Sequence, residues 1–185
     1  MAEIRDTDVL RQRWDYSCGS AALSTVLTYF LDDPTPETAV VVSILRRTDP
    51  VRVRSRGGFS LLDLKNYLAR RGYTSSGYAD LELDDLSEFT VPPIVPLSLK
   101  GFDHFVVFRG HYGDRVVLAD PAFGNLTMSA SRFVELWKDG IGFVVTGVPR
   151  QDFAGRLDIA ELPFANPSVI RRLTSVSGFR AVDIR

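Results

Sequence analysis

The hydrophobic period of this chain changes once, near Val91, and that single change limits the folds open to it. Before it, apolar residues recur at helical spacing. Residues 18–31, CGSAALSTVLTYFL, set Ala21, Ala22, Val26, Leu27, Tyr29 and Phe30 around a helix buried on most of its surface. Asp32-Asp33-Pro34-Thr35-Pro36 ends it, because proline offers no N–H and restricts the residue before it. ETAVVVSILRR is expected as a second helix, and LLDLKNYLARRG as a third, capped by Ser60 and stopped at Gly72. Between them, residues 50–58, PVRVRSRGG, are basic and poor in large apolar groups, which predicts a surface loop or short ribbon.

From Val91 the runs PIVPLSLK, FDHFVVFRG, DRVVLAD and GFVVTGV are short, β-branched and aromatic. A short amphipathic helix, SASRFVELWKDG, capped by Ser129 or Ser131, separates the last two. Helices followed by strands predict an α+β domain, with N-terminal helices packed on a C-terminal antiparallel sheet. After Val148 the apolar residues lose any firm period. Residues 1–148 therefore read as the domain and 149–185 as an extension packed on it.

At 185 residues and 45% hydrophobic, the chain can bury a core without a covalent staple, and its one cysteine allows no intrachain disulfide. The 22 basic and 23 acidic residues leave a net charge of −1, too weak a field to draw nucleic acid or anionic lipid. No run reaches the roughly 18 apolar residues of a membrane span. The start MAEIRDTD lacks the basic and apolar parts of a secretory signal, so the chain reads as soluble, with export still open if a signal has been removed.

The lone thiol, Cys18, opens the first helix, where unpaired N–H groups and the helix dipole favour a thiolate. Gly19 keeps the approach to the sulfur clear, and the N–H groups there can hold an oxyanion. The alternative is a core cysteine, the commoner fate of a free thiol. A base must come from two histidines. His104 lies within a strand, whereas His111 follows the strand's expected end at Gly110 and reads as a solvated turn residue. Asp120 ends the next strand before Pro121. If the two strands pair through a short HYG turn, His104 and Asp120 become neighbours, and Asp120 can orient the imidazole. Gln12 stands six residues before Cys18 and can return an amide to the sulfur.

QRWDYSCGSAAL at 12–23 resembles the double-glycine (bacteriocin-processing) cysteine peptidases, a papain-like family. GFDHFVVFRGHYGDRVVLADPAFG at 101–124 looks like that family's His-to-Asp hairpin, and GGFSL like its Gly-x-Ser-Leu segment. The resemblance implies a papain-like fold with Cys18 as nucleophile, His104 as base, Asp120 as orienter and Gln12 as oxyanion donor. It implies cleavage after a Gly-Gly or Gly-Ala site in a protein or peptide substrate, in a narrow cleft, with no metal or cofactor. Trp14 and Tyr16 are placed to line that cleft, and aromatics near a helix start are at least as often core or staple residues. Family members are commonly part of export transporters. This chain carries neither spans nor a GxxxxGK[ST] loop, so it resembles the stand-alone members that accompany secretion systems, which suggests the periplasm, or otherwise the cytoplasm. It departs from the family at Ser17, where an Asp is usual. Arg56-Gly57-Gly58-Phe59 itself looks like a double-glycine site, which raises self-cleavage or self-occlusion. Two other readings stay open: a leader-binding module with little catalysis, and another papain-like amidase, transglutaminase or acyltransferase.

Overall fold

The computed structural model describes residues 5–99 and 101–148. Helix α1 spans Cys18–Phe30 and α2 Glu37–Leu45, and the Asp-Pro linker between them breaks the chain as expected. Helix α4, Leu61–Arg70, opens on a capping box. The Ser60 hydroxyl accepts the Asp63 N–H while the Asp63 carboxylate accepts the Ser60 N–H, so two orphan donors are satisfied at once.

The loop expected over 50–58 is a helix for most of its length: α3 spans Pro50–Ser55. Asp49 accepts the Val51 N–H at 2.8 Å, Pro50 suits a first turn, and the arginines are good helix formers. Val53 alone turns inward and is buried, so the helix shows no apolar stripe in its sequence.

Six strands form one antiparallel sheet: β1 Thr74–Tyr78, β2 Ile94–Leu99, β3 Phe102–Tyr112, β4 Arg115–Asp120, β5 Gly124–Ser129 and β6 Gly142–Gly147. Their order across the sheet is β1-β6-β2-β3-β4-β5. Helix α5, Ala130–Leu136, follows β5, and Ser129 caps it by accepting the Arg132 N–H. β1 and β5 were not expected from sequence. β3 also runs past Gly110 to Tyr112, and the hairpin turns at Gly113-Asp114 rather than through HYG. His111 is thus a strand residue opposite Val116, with Nδ1 at 3.5 Å from Asp84 Oδ1, and not a solvated turn residue.

Alternate residues of β3 divide the core. Phe105 and Val107 pack with α1, α2 and α4 through Leu23, Leu27, Ile44 and Leu64. Val106 and Phe108 face the other way, into a second cluster with Leu118, Phe133 and Trp137. The side-chain period of two thus gives the sheet a helical layer on one face and α5 on the other. The extension expected over 149–185 lies outside the described residues.

Candidate catalytic site

Cys18 is the first residue of α1 and is 6% exposed. Ser17, at the N-cap, makes no side-chain cap, so no hydroxyl competes for the first N–H groups of the helix. α1 crosses β3 closely. A Cβ built on Gly19 would stand 3.3 Å from Phe105 Cδ2, so Gly19 sets the helix-to-strand distance. Its missing side chain serves this packing, a reason the sequence alone did not suggest.

His104 and Asp120 meet because the β3–β4 ladder contains a bulge. Near the turn His111 faces Val116 and Gly110 faces Val117, but further along Phe108 faces Leu118 and Val107 faces Ala119. The register shifts by one residue between Phe108 and Gly110. Continued without that shift, the ladder would set Asp120 opposite Val107, on the other face from His104; the bulge returns it to the His104 face. His104 Nε2 then lies 2.9 Å from Asp120 Oδ1. The same Oδ1 accepts the N–H groups of Ala122 at 2.7 Å and Phe123 at 3.1 Å, which fixes the carboxylate in its turn.

With Nε2 committed to Asp120, Nδ1 is the ring nitrogen left to meet a thiol, and the Cys18 side chain is close enough to help hold a proton on the ring. Burial opposes a charged ring here. The hydrogen bonds to Asp120 and Cys18 and the charges of both outweigh it, raising His104 from 6.5 to about 9.

Gln12 reaches the site through its backbone. Its N–H donates to Pro121 O at 2.9 Å, and Arg11 Nε to the same carbonyl at 3.2 Å, tying the loop before Cys18 to the turn after Asp120. The Gln12 side chain folds onto its own loop, with Nε2 donating to Trp14 O at 3.0 Å. Its Oε1 is buried and has no partner among the described residues. A residue that sequence did not single out, Glu37, lies beneath this loop. It accepts the Ser17 hydroxyl at 2.5 Å and the Arg13 N–H at 3.1 and 3.2 Å. An acid in the first turn of a helix is ordinary, and nothing in its sequence context signals burial.

A cleft of about 450 Å³ opens at Cys18. Gly57, Gly58 and Phe59 form part of its lining, as do Asp103, Phe105 and Lys138. Lys138 Nζ pairs with Asp103 at 2.8 Å on this rim. Gly57 has φ of +80°, and a Cβ on Gly58 would lie 3.0 Å from Tyr16 O, so two glycines let this segment approach the nucleophile's loop. Gly58 N–H donates to Val53 O at 3.0 Å, Gly58 O accepts from Arg56 Nε at 2.9 Å, and Phe59 is 3% exposed. The double glycine is therefore built into the cleft's surroundings. Tyr16, expected in the lining, packs edge-on against Phe59 at 6.0 Å and braces that segment from behind. Trp14 is 38% exposed on the loop surface.

A helix-borne cysteine set against a sheet-borne His–Asp pair is the architecture of a papain-like cysteine peptidase domain. The chain belongs to the Peptidase C39 family, whose model matches residues 6–148. It is 38% identical over 145 residues to the probable functional amyloid protease FapD of Pseudomonas aeruginosa, covering 78% of this chain and 63% of that protein. The chain thus spans less than two-thirds of the length of this curated relative. Among solved structures it is similar to a double glycine motif protease from an AMS/PCAT transporter, in complex with its leader peptide, at 26% identity and a TM-score of 0.58, covering 74% of this chain and 88% of that one. The peptidase domain of Streptococcus ComA, a bifunctional ABC transporter of a quorum-sensing pathway, shares the fold at 20% identity and a TM-score of 0.61, covering 77% and 98%. No helix among the described residues is long and apolar enough to cross a membrane.

Proposed function

We propose that this chain is a cysteine endopeptidase that cuts after a double-glycine-type site in exported or leader-bearing proteins. The observation that carries this reading is the Cys18–His104–Asp120 chain of contacts at the mouth of a cleft. A histidine raised to about 9 holds its proton at neutral pH, so it enters the reaction as an imidazolium rather than as a free base. The thiolate attacks the carbonyl carbon of the residue before the scissile bond. The oxyanion draws on the Cys18 N–H and, once it leaves Trp14 O, on Gln12 Nε2. His104 passes its proton to the leaving amine, and the thioester remains. Water then attacks the thioester as His104 takes up its proton, and Asp120 holds the ring in one tautomer throughout.

Glycines before the bond suit a cleft that closes around the sulfur, where a side chain would clash. The named relatives include a functional amyloid protease and peptidases of transporters, and these support an exported or leader-bearing substrate and a secretion-system partner. A periplasmic site of action is part of the proposal. One observation favours a second reading. The engaged Gln12 amide suits a domain that holds leader peptides without cutting them.

Incubating the chain with peptides that carry Gly-Gly or Gly-Ala sites, alongside Cys18→Ala, separates the two. Cleavage after the second residue by the native chain alone is expected. Binding without cleavage would favour the second reading, and equal cleavage by Cys18→Ala would end the first.

A further inference from the structure

We propose that Glu37 is a positioning residue for the nucleophile, holding the loop between Gln12 and Cys18 through the Arg13 N–H and the Ser17 hydroxyl; this rests on the peptidase reading above. Arg13, Trp14 and Asp15 are exposed, so side-chain packing holds this loop only at Tyr16, whose ring meets Phe59. Its internal restraints gather at Trp14 and Ser17: Ser17 N–H donates to Trp14 O at 3.1 Å, Gln12 Nε2 donates to the same carbonyl, and the Trp14 N–H reaches Ser17 Oγ at 3.3 Å. The hold from below comes from a single carboxylate that is only 5% exposed.

The two gripped points bracket the loop. Arg13 directly follows Gln12, and Ser17 directly precedes Cys18, so both groups that would meet the substrate carbonyl lie one residue from a Glu37 hydrogen bond. The Ser17 carbonyl also accepts the Ala21 N–H at 3.0 Å, which makes Ser17 the joint between loop and α1. Glu37 is itself fixed, as the first residue of α2 directly after Pro36, on a helix that packs against α1.

The two donors favour an acid over an amide. Glu37 Oε1 accepts both the Ser17 hydroxyl and the Arg13 N–H, and a carboxylate has only acceptors to offer them. A glutamine of the same shape offers one oxygen, and its NH2 either meets the Arg13 N–H or forces the Ser17 hydroxyl to turn its proton to Trp14 O, 2.8 Å away, so the grip on one of the two points is lost or reversed.

The test compares the full chain with Glu37→Gln, Ser17→Ala and the double variant, each confirmed folded by thermal melting. Two measurements are made: kcat and KM on a double-glycine peptide, and the rate of Cys18 alkylation by iodoacetamide. Misplacing the nucleophile's loop is expected to lower kcat about tenfold to a hundredfold in Glu37→Gln, with KM within about threefold. Alkylation should slow about tenfold as the thiol loses its alignment with His104. Ser17→Ala removes one of the two donors and also the acceptor of the Trp14 N–H at 3.3 Å, so the double variant should lose less than the product of the two single losses. Losses that multiply in the double variant would overturn the proposal, as would native kcat and alkylation in folded Glu37→Gln. Where Glu37→Gln does not fold, Ser17→Ala alone should still lower kcat with KM held, and a native kcat there would overturn it. If the native chain cuts no such peptide, the peptidase reading fails separately, and the alkylation rates still decide the role of Glu37.

Discussion

His104 and Asp120 share a face of the sheet and a 2.9 Å contact only because the ladder between their strands slips by one residue near Arg109. The pair governs how the chain responds to pH. His104 is raised from 6.5 to about 9 on folding, so its proton stabilises the folded state fully below the unfolded value. That contribution fades as pH rises through the folded value. The stability gap between the native chain and His104→Gln, measured by urea unfolding, should therefore narrow between about pH 6 and about pH 9.5. A gap that stays constant or widens would contradict the assigned contacts.

Asp120→Ala leaves the His104 ring and two backbone N–H groups without their acceptor. Turnover should fall by about a thousandfold or more as the imidazole loses its fixed tautomer. Stability should fall by about 1 to 3 kcal/mol, because the largely buried His104 ring loses its charged partner, while the N–H groups of Ala122 and of the exposed Phe123 can turn to water. Peptide turnover and chemical unfolding check the two effects separately.

Gly19→Ala sets two effects against each other. Alanine favours a helix over glycine by about 1 kcal/mol, while its Cβ meets Phe105 Cδ2 at 3.3 Å and must push the ring. Stability should change by no more than about 1 kcal/mol. The ring's neighbour in β3 is His104, so kcat should drop clearly despite an intact fold. An unchanged kcat would show that the close approach is dispensable.

Phe133→Ala tests the opposite face. Phe133 is fully buried between Phe108 and Trp137, at centroid distances of 5.8 and 5.4 Å. The cavity should cost about 3 to 5 kcal/mol. Turnover per folded molecule should stay near native, because the ring's aromatic partners are Phe108 and Trp137 and not His104 or Asp120. Active-site titration by alkylation would give the folded fraction needed for the comparison.

The candidate site was legible because each of its residues sits at or near an element end with strong local signals. Cys18 starts a densely apolar helix, His104 lies in a β-branched and aromatic run, and Asp120 precedes a proline. The parts that stayed hidden depend on partners distant in sequence. β1 and β5 form the two edges of the sheet, where TSSGY and GNLTMS need only one neighbour and carry few buried side chains, so neither shows a strand pattern. The capped helix α3 rests on one buried valine, Val53. Glu37 reads as a surface acid, and only tertiary packing brings it beneath Ser17 and Arg13. Trp14 and Tyr16 were assigned to a cleft by proximity to Cys18, yet the chain reverses between Trp14 and Ser17 and sends them elsewhere.

The one-residue slip in the β3–β4 ladder also sets which length changes this hairpin tolerates. Facing in a ladder follows odd and even count, so one residue added to each strand at the Gly113-Asp114 tip leaves His104 and Asp120 on a common face. Removing Arg109, the residue the bulge leaves unpaired, would restore a regular ladder with Phe108 still opposite Leu118, so the carboxylate stays on the ring's face. Paired insertions at the tip and loss of the bulge residue should therefore both keep the pair together, whereas a lone deletion between His104 and Phe108 changes the count on one strand beyond the bulge and turns the two side chains to opposite faces.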